Sequence, residues 1–227
     1  HLPGEPRDMT LVEALLRTAE RAGAPLTIPG DVDGHCCGVP FSSKGYVDAQ
    51  RETVNRTVAS MWRWSGEGRL PVVVDTSPCT YGLRNCRAAL TPENQRRFDG
   101  LVILDAVEYA AQLLPLLPIK RRQHRVVLHP VCSVVKMNLT PALELVARAC
   151  AEEVVLPLDA GCCGFAGDRG WLLPELTASA TAPEAREVLS CDAEGYYSSS
   201  RTCEIALTRA TGRVYRSYLY LLEWATR

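Results

Sequence analysis

Two blocks of adjacent cysteines carry most of the chemistry this chain could do. One runs from Asp159 to Gly170 and holds Cys162, Cys163 and Gly164, with Gly161, Gly167 and Gly170 nearby; the other runs from Asp33 to Pro40 and holds Cys36, Cys37 and Gly38. Each has an aspartate three residues before its cysteine pair. A disulfide between neighbours is geometrically poor, because consecutive Cα atoms lie about 3.8 Å apart and disulfides prefer roughly 4.4–6.8 Å. Two bare thiolates would repel, and a free thiol costs on the order of 2 kcal/mol to ionise at pH 7. A metal or an iron–sulfur cluster removes both difficulties, since it requires thiolates and neutralises them. Two small buried hydrophobes would explain one such pair; two matching pairs argue for ligation.

The remaining cysteines sort by their surroundings. Cys132 follows the apolar run Arg125–His129, Cys79 follows Leu70–Asp75, and Cys203 follows Tyr196–Tyr197. The second half therefore reads C-x29-C-C-G-x38-C over Cys132, Cys162, Cys163 and Cys203. In the first half Cys79 lies 42 positions after Cys37, as Cys203 lies 40 after Cys163. Cys150 and Cys86 look like helix packing, and Cys191 sits in a polar turn as a free thiol. His35 and His129 flank the motifs and read as hydrogen-bonding groups, with metal ligation the other option.

The elements that must position these residues recur. Thr10 and Glu13 form a capping box before a helix whose apolar stripe includes Leu11, Leu15, Ala19 and Ala22; Gly23 ends it, and Ala24–Ile28 is a strand candidate leading to the first pair. His1–Thr10 reads as a loop. In the second half Leu139, Leu143, Val146 and Cys150 form a similar stripe, Glu153–Leu158 a strand, and the second pair follows, offset by 126 residues. Between the halves Leu101–Leu104 is a strand candidate, Asp105 caps a helix to about Leu117, and Lys120, Arg121 and Arg122 form a solvated linker. Val214–Ser217 precedes a final helix. Strands alternating with helices predict an α/β fold: two similar Rossmann-like modules with short parallel sheets, pseudo-twofold related, spanning 1–118 and 119–227. The first-module partner of Cys132 should fall near position 6 or before, where there is none. The expectation is that the chain begins partway into that module, as a trimmed piece of a longer polypeptide.

In such folds loops at the carboxyl ends of strands feed helix N-termini, so Cys79 and Cys203 should meet helix dipoles that favour thiolate. The glycines let backbone N–H groups approach sulfur. Lys44, Arg169 and Arg201 are nearby cations that either offset cluster charge or are solvated surface groups.

Composition sets limits. The chain has 227 residues, 47% of them apolar, and a net charge of −1. Neither nucleic acid nor an anionic membrane is indicated as a partner. No run spans a bilayer and no signal peptide opens the sequence. Ten cysteines in a chain with ample apolar core do not make a secreted disulfide framework. The reading is a reducing, cytoplasmic compartment, compatible with peripheral attachment at the inner face of the membrane.

The pattern of one cysteine, then Cys-Cys-Gly, then a later cysteine, repeated twice, resembles the cysteine-rich CCG domain. That domain occurs in the B subunit of heterodisulfide reductase, in the iron–sulfur subunit of glycolate oxidase and in lactate-utilisation proteins. Cys36–Gly45, Asp75–Cys79, Cys162–Gly170, Pro174–Ala180 and Tyr196–Cys203 look like the C-terminal part of FAD-linked D-lactate dehydrogenases. The resemblance covers essentially the whole chain. It implies an electron-transfer domain following FAD and ferredoxin-like domains, passing electrons from D-lactate or another 2-hydroxy acid towards a quinone or cytochrome. With no flavin segment in view, the chain alone is not expected to oxidise lactate. Heterodisulfide reductase modules end in C-x-x-C; here Gly82 and Ala206 stand three residues after Cys79 and Cys203. Four cysteines per full module fit one 4Fe–4S cluster, and would also fit zinc in a structural or docking domain without redox role. Cys36, Cys37 and Cys79 alone would leave the first cluster lost or labile, giving one or two clusters in all. A thiol redox enzyme working through Cys162 and Cys163 is a third reading, disfavoured by neighbour-disulfide strain.

Overall fold

The computed structural model describes residues 6–227; the first five residues of the expected N-terminal loop lie outside the described residues. Thr10 caps α1 (Leu11–Arg21) through the reciprocal box: its side chain accepts from Glu13 N, and Glu13 accepts from Thr10 N. Two compact units follow, one of Thr27–Tyr109 and one of Ala110–Arg227 together with the described residues up to Leu26.

Between α1 and the first cysteine pair the expected strand does not form: Ala24–Ile28 carries no ladder. Pro25 has no N–H to donate and Pro29 closes the stretch, so a short segment with few donors stays irregular. The smaller unit continues with α2 (Val39–Ser42), α3 (Val47–Trp64), β1 (Val72–Val74), α4 (Ser77–Arg84), α5 (Pro92–Asp99) and β2 (Ile103–Asp105). β1 and β2 pair in parallel, Val72 opposite Ile103. Val54, Val58, Cys86 and Leu90 form one buried cluster, and Cys37, Met61, Leu83 and Ile103 another. The unit boundary falls within α6 (Ala106–Leu113), whose first turn is capped by Asp105, its carboxylate accepting from Val107 N at 2.9 Å.

The larger unit holds β3 (Gln123–Leu128), α7 (Cys132–Lys136), α8 (Thr140–Cys150), β4 (Ala151–Val155), α9 (Arg169–Leu172), α10 (Pro174–Leu189), β5 (Gly195–Ser198), α11 (Arg201–Thr211), β6 (Tyr215–Ser217) and α12 (Tyr218–Thr226). β4 starts two residues earlier than the sequence suggests, directly from α8, and stops before Pro157. Its exposed Glu152 and Glu153 face His124 and Arg125 of β3, which puts charge on an edge strand. The sheet order is β4-β3-β5-β6, all parallel. Val126, Val127 and Leu128 are fully buried at its centre, as a central parallel strand covered on both faces requires. α1, α8 and α12 pack together, and α9, α10 and α11 form a second group. Arg21 ties α1 to α12 through the buried Glu223 carboxylate at 2.8 Å and the Glu223 carbonyl at 3.2 Å.

The protein is thus a mixed α/β molecule with short parallel sheets. The chain leaves β3 for β4 on one side and returns to β5 on the other, and in such sheets that reversal marks the carboxyl ends of the strands as the place where ligands collect.

Candidate metal centre

Every cysteine of the second-half pattern lies at those strand ends. Cys132 opens α7 just after β3, Cys162 and Cys163 lie in the loop after β4, and Cys203 sits in the first turn of α11 after β5. The loop shape comes from Gly164, which holds φ +69° with its backbone against α10: a Cβ there would stand 2.8 Å from Ala180 Cβ and 3.0 Å from Leu176 O. Phe165, fully buried, anchors the next step, edge-on to Trp171 with ring centroids 5.1 Å apart.

The four thiols are linked in two pairs. Cys163 and Cys203 share a hydrogen bond with Sγ–Sγ 2.9 Å, and Cys132 and Cys162 share another. In each pair one thiol is pushed up and the other down. The hydrogen bond from Cys132, then the Gly164 N–H and the charges of Lys136 and His129, bring Cys162 down to about 5. Cys163 is lowered by Cys203 and by the Phe165 N–H. Cys132 and Cys203 are pushed up, first by the hydrogen bond to the partner sulfur and then by burial. Adjacent Cys162 and Cys163 thus each face a different partner, and all ten cysteines are free thiols.

The first-half residues show the same local design. Gly38 holds φ +78°, and a Cβ there would meet Val54 at 2.7 Å. Cys37 and Cys79 share a hydrogen bond, Sγ–Sγ 3.1 Å, and Cys36 hydrogen-bonds Cys37. The Cys79 thiol and then the Val39 N–H bring Cys37 to about 6, while Cys79 is raised. Val39 stands two residues after Cys37 as Phe165 stands two after Cys163, so each second cysteine receives the N–H two residues on. Cys79 lies in the first turn of α4.

Among the described residues no three His, Cys, Asp or Glu side chains surround one point that a single ion would fill. Thiolates on one tetrahedral zinc at about 2.3 Å stand roughly 3.8 Å apart, and thiolates on a four-iron cluster farther still, so the hydrogen-bonded pairs must open to hold either. A four-iron cluster takes one cysteine per iron and needs no common point. The donor set of Cys132, Cys162, Cys163 and Cys203, with no carboxylate among them, fits such a group. So do the hydroxyls around it: Ser133 beside Cys132, Ser198 at the end of β5, and Thr177, whose Cα lies 3.3 Å from a Gly164 Cβ, are buried without hydrogen-bond partners. An anionic, sulfur-rich group accepts hydrogen bonds from such hydroxyls.

Of the cations expected nearby, Arg201 reaches Glu204 at 3.5 Å, and Lys44 and Arg169 are exposed. The cation whose charge acts on Cys132 and Cys162 is Lys136, which sequence reading missed although it lies one helical turn after Cys132. Glu184 was missed too. It accepts from Nδ1 of the buried His129 through both oxygens at 2.9 Å, from 55 residues away, with no local signal to reveal it. His35 hydrogen-bonds Ser60 at 2.8 Å and the Val32 carbonyl at 3.0 Å. Cys86 and Cys150 are buried in packing as expected, burial raising them to about 11 and about 12.

The C subunit of anaerobic glycerol-3-phosphate dehydrogenase from Escherichia coli strain K12 is 28% identical over 186 residues, covering 78% of this chain and 46% of that protein. Its counterpart in Escherichia coli O157:H7 gives the same values. The chain spans about half the length of the curated relatives it matches. Residues 126–208, which contain all four converging cysteines, match the CCG family model, described as a cysteine-rich domain, and a CCG cysteine-rich domain is present in this chain.

Proposed function

We propose that the chain is the iron–sulfur electron-transfer part of a flavin-dependent dehydrogenase. Cys132, Cys162, Cys163 and Cys203 would hold one 4Fe–4S cluster, and Cys36, Cys37 and Cys79 three positions of a second. The observation that carries this is the gathering of four thiols at three neighbouring strand ends of one sheet, already paired so that two are lowered. Bound there, a cluster would store and pass on single electrons. The protein's own part is to supply thiolates and to aim N–H groups of Gly164 and Phe165 at them, with Phe165 and α10 packed behind the loop.

The local strings favour D-lactate or another 2-hydroxy acid as the reductant of the whole enzyme, through FAD and ferredoxin-like domains, with a quinone or cytochrome as acceptor. The relatives favour glycerol 3-phosphate instead. Among the described residues no helix is long and apolar enough to cross a membrane. Residues 1–118 and 119–227 are read as two copies of one module related by a pseudo-twofold. The repeated Cys-Cys-Gly loop, with its left-handed glycine and matched N–H contact, supports that reading.

The deciding experiment is iron, acid-labile sulfide and zinc content on protein prepared without oxygen. About four iron and four sulfide per chain, with visible absorption that bleaches on dithionite, are expected for one cluster. Zinc near one per chain without sulfide would establish the structural zinc reading instead.

A further inference from the structure

The cluster reading leaves one buried group unused, and the following rests on that reading. His129 leaves β3 at the same end as Cys132 and is fully buried; its backbone N–H is held by the Tyr197 carbonyl at 2.8 Å. Its ring is clamped on one side only. Nδ1 faces both oxygens of Glu184 at 2.9 Å, and Glu184 on α10 is itself 2% exposed. Nε2 is buried with no hydrogen-bond partner, a costly state for a ring nitrogen. The ring stands close enough to act electrostatically on Cys162 and Cys163. The partnerless hydroxyls of Ser133, Ser198 and Thr177 belong to the same strand ends and helix.

We propose that His129 donates a hydrogen bond from Nε2–H to a sulfur of the cluster, and that Glu184 holds the ring in that orientation. With Nδ1 turned to the Glu184 carboxylate, the orphaned Nε2 is the ring nitrogen left to meet an anionic sulfur. The four cysteines supply the four ligands, so His129 is a positioning residue. A donor to cluster sulfur favours the reduced state, which carries one more negative charge, and so raises the reduction potential.

The test uses the whole chain, prepared without oxygen and labelled with heavy-nitrogen histidine. It has four histidines, so the His129→Gln variant assigns any signal. In the reduced protein pulsed EPR is expected to show weak nitrogen coupling that vanishes in H129Q. The potential is expected to fall in both H129Q and Glu184→Gln, with iron and sulfide unchanged. The expected size is about tenfold in the reduction equilibrium, or about 59 mV for one electron. No histidine coupling, or coupling as strong as an iron-bound imidazole, overturns the proposal; so does an unchanged potential in iron-replete variants. If H129Q fails to hold iron, the labelled wild-type protein and Glu184→Gln still decide. Wild-type protein without iron would remove the cluster reading itself, whereas an iron-replete protein with a silent histidine removes only this inference.

Discussion

At the scale of single residues, proton sharing between paired sulfurs separates reactive from inert thiols. Cys162 is exposed and lowered to about 5, so it is mostly thiolate at pH 7; Cys86 and Cys150, raised to about 11 and about 12, stay protonated there. Since the thiolate is the nucleophile, metal-free protein at pH 7 is expected to be alkylated by iodoacetamide at Cys162 and spared at Cys86 and Cys150. Peptide mass spectrometry reads this directly, and equal labelling of all three would refute the pairing. Cys163→Ser is expected to lose the iron of the second-half centre; a full iron complement in that variant would remove Cys163 from the ligand set. Gly164 works through its backbone. Gly164→Ala forces a side chain into a left-handed conformation, costing about 1–2 kcal/mol, and a clash with Ala180 adds about 1 kcal/mol more. Urea unfolding should show a loss of about 2–3 kcal/mol, the sum of those two costs.

Among the elements, α10 does two jobs that no motif announces. It backs the cysteine loop where Gly164 rests on Leu176 and Ala180, and it delivers Glu184 to His129. Its Thr177, Thr181, Glu184, Ala185 and Val188 are buried although the helix contains Pro183 and little apolar contrast between faces. One charge pair links α1 and α12 beside the packing of Ala14 against Tyr220. Arg21 donates to the Glu223 carboxylate and carbonyl and to Thr226, and Glu223 is 1% exposed. Removing the partner of a buried charge costs about 3–5 kcal/mol when both are buried; with Arg21 partly exposed, Arg21→Ala should cost about 2 kcal/mol. Arg21→Lys should recover only part of that, because one ammonium cannot reproduce the guanidinium fork. Thermal unfolding of both variants checks the order.

Across the whole molecule, the two units carry cysteine sets of unequal completeness. The larger gathers four thiols and the smaller three. Stripping metal with a chelator is therefore expected to loosen mainly the larger unit. Amide exchange should rise in α7 and in the loop between β4 and α9, while the centre of β3 stays protected by its fully buried valines. Uniform loosening of the whole chain would mean that the thiols do not hold the metal where proposed.

Local rules carried far in this sequence. The capping box at Thr10, the parallel strands running into cysteine loops, the packing role of Cys86 and Cys150, and the need for glycine after each pair all follow from residue type and spacing. These are short-range effects: a side chain reaching its own helix, a backbone angle that only glycine tolerates, an apolar run that must be buried. The same rules overreached at Ala24–Ile28, where prolines withhold ladder donors, and missed the early start of β4, whose two glutamates look unlike a strand until β3 supplies His124 and Arg125 opposite. Tertiary structure alone decided which thiol pairs with which, the place of Lys136 beside Cys162, and the meeting of His129 with Glu184 across 55 positions. Those contacts depend on where parallel strands end relative to one another, a register set by the packing of the whole sheet and not written in any one segment.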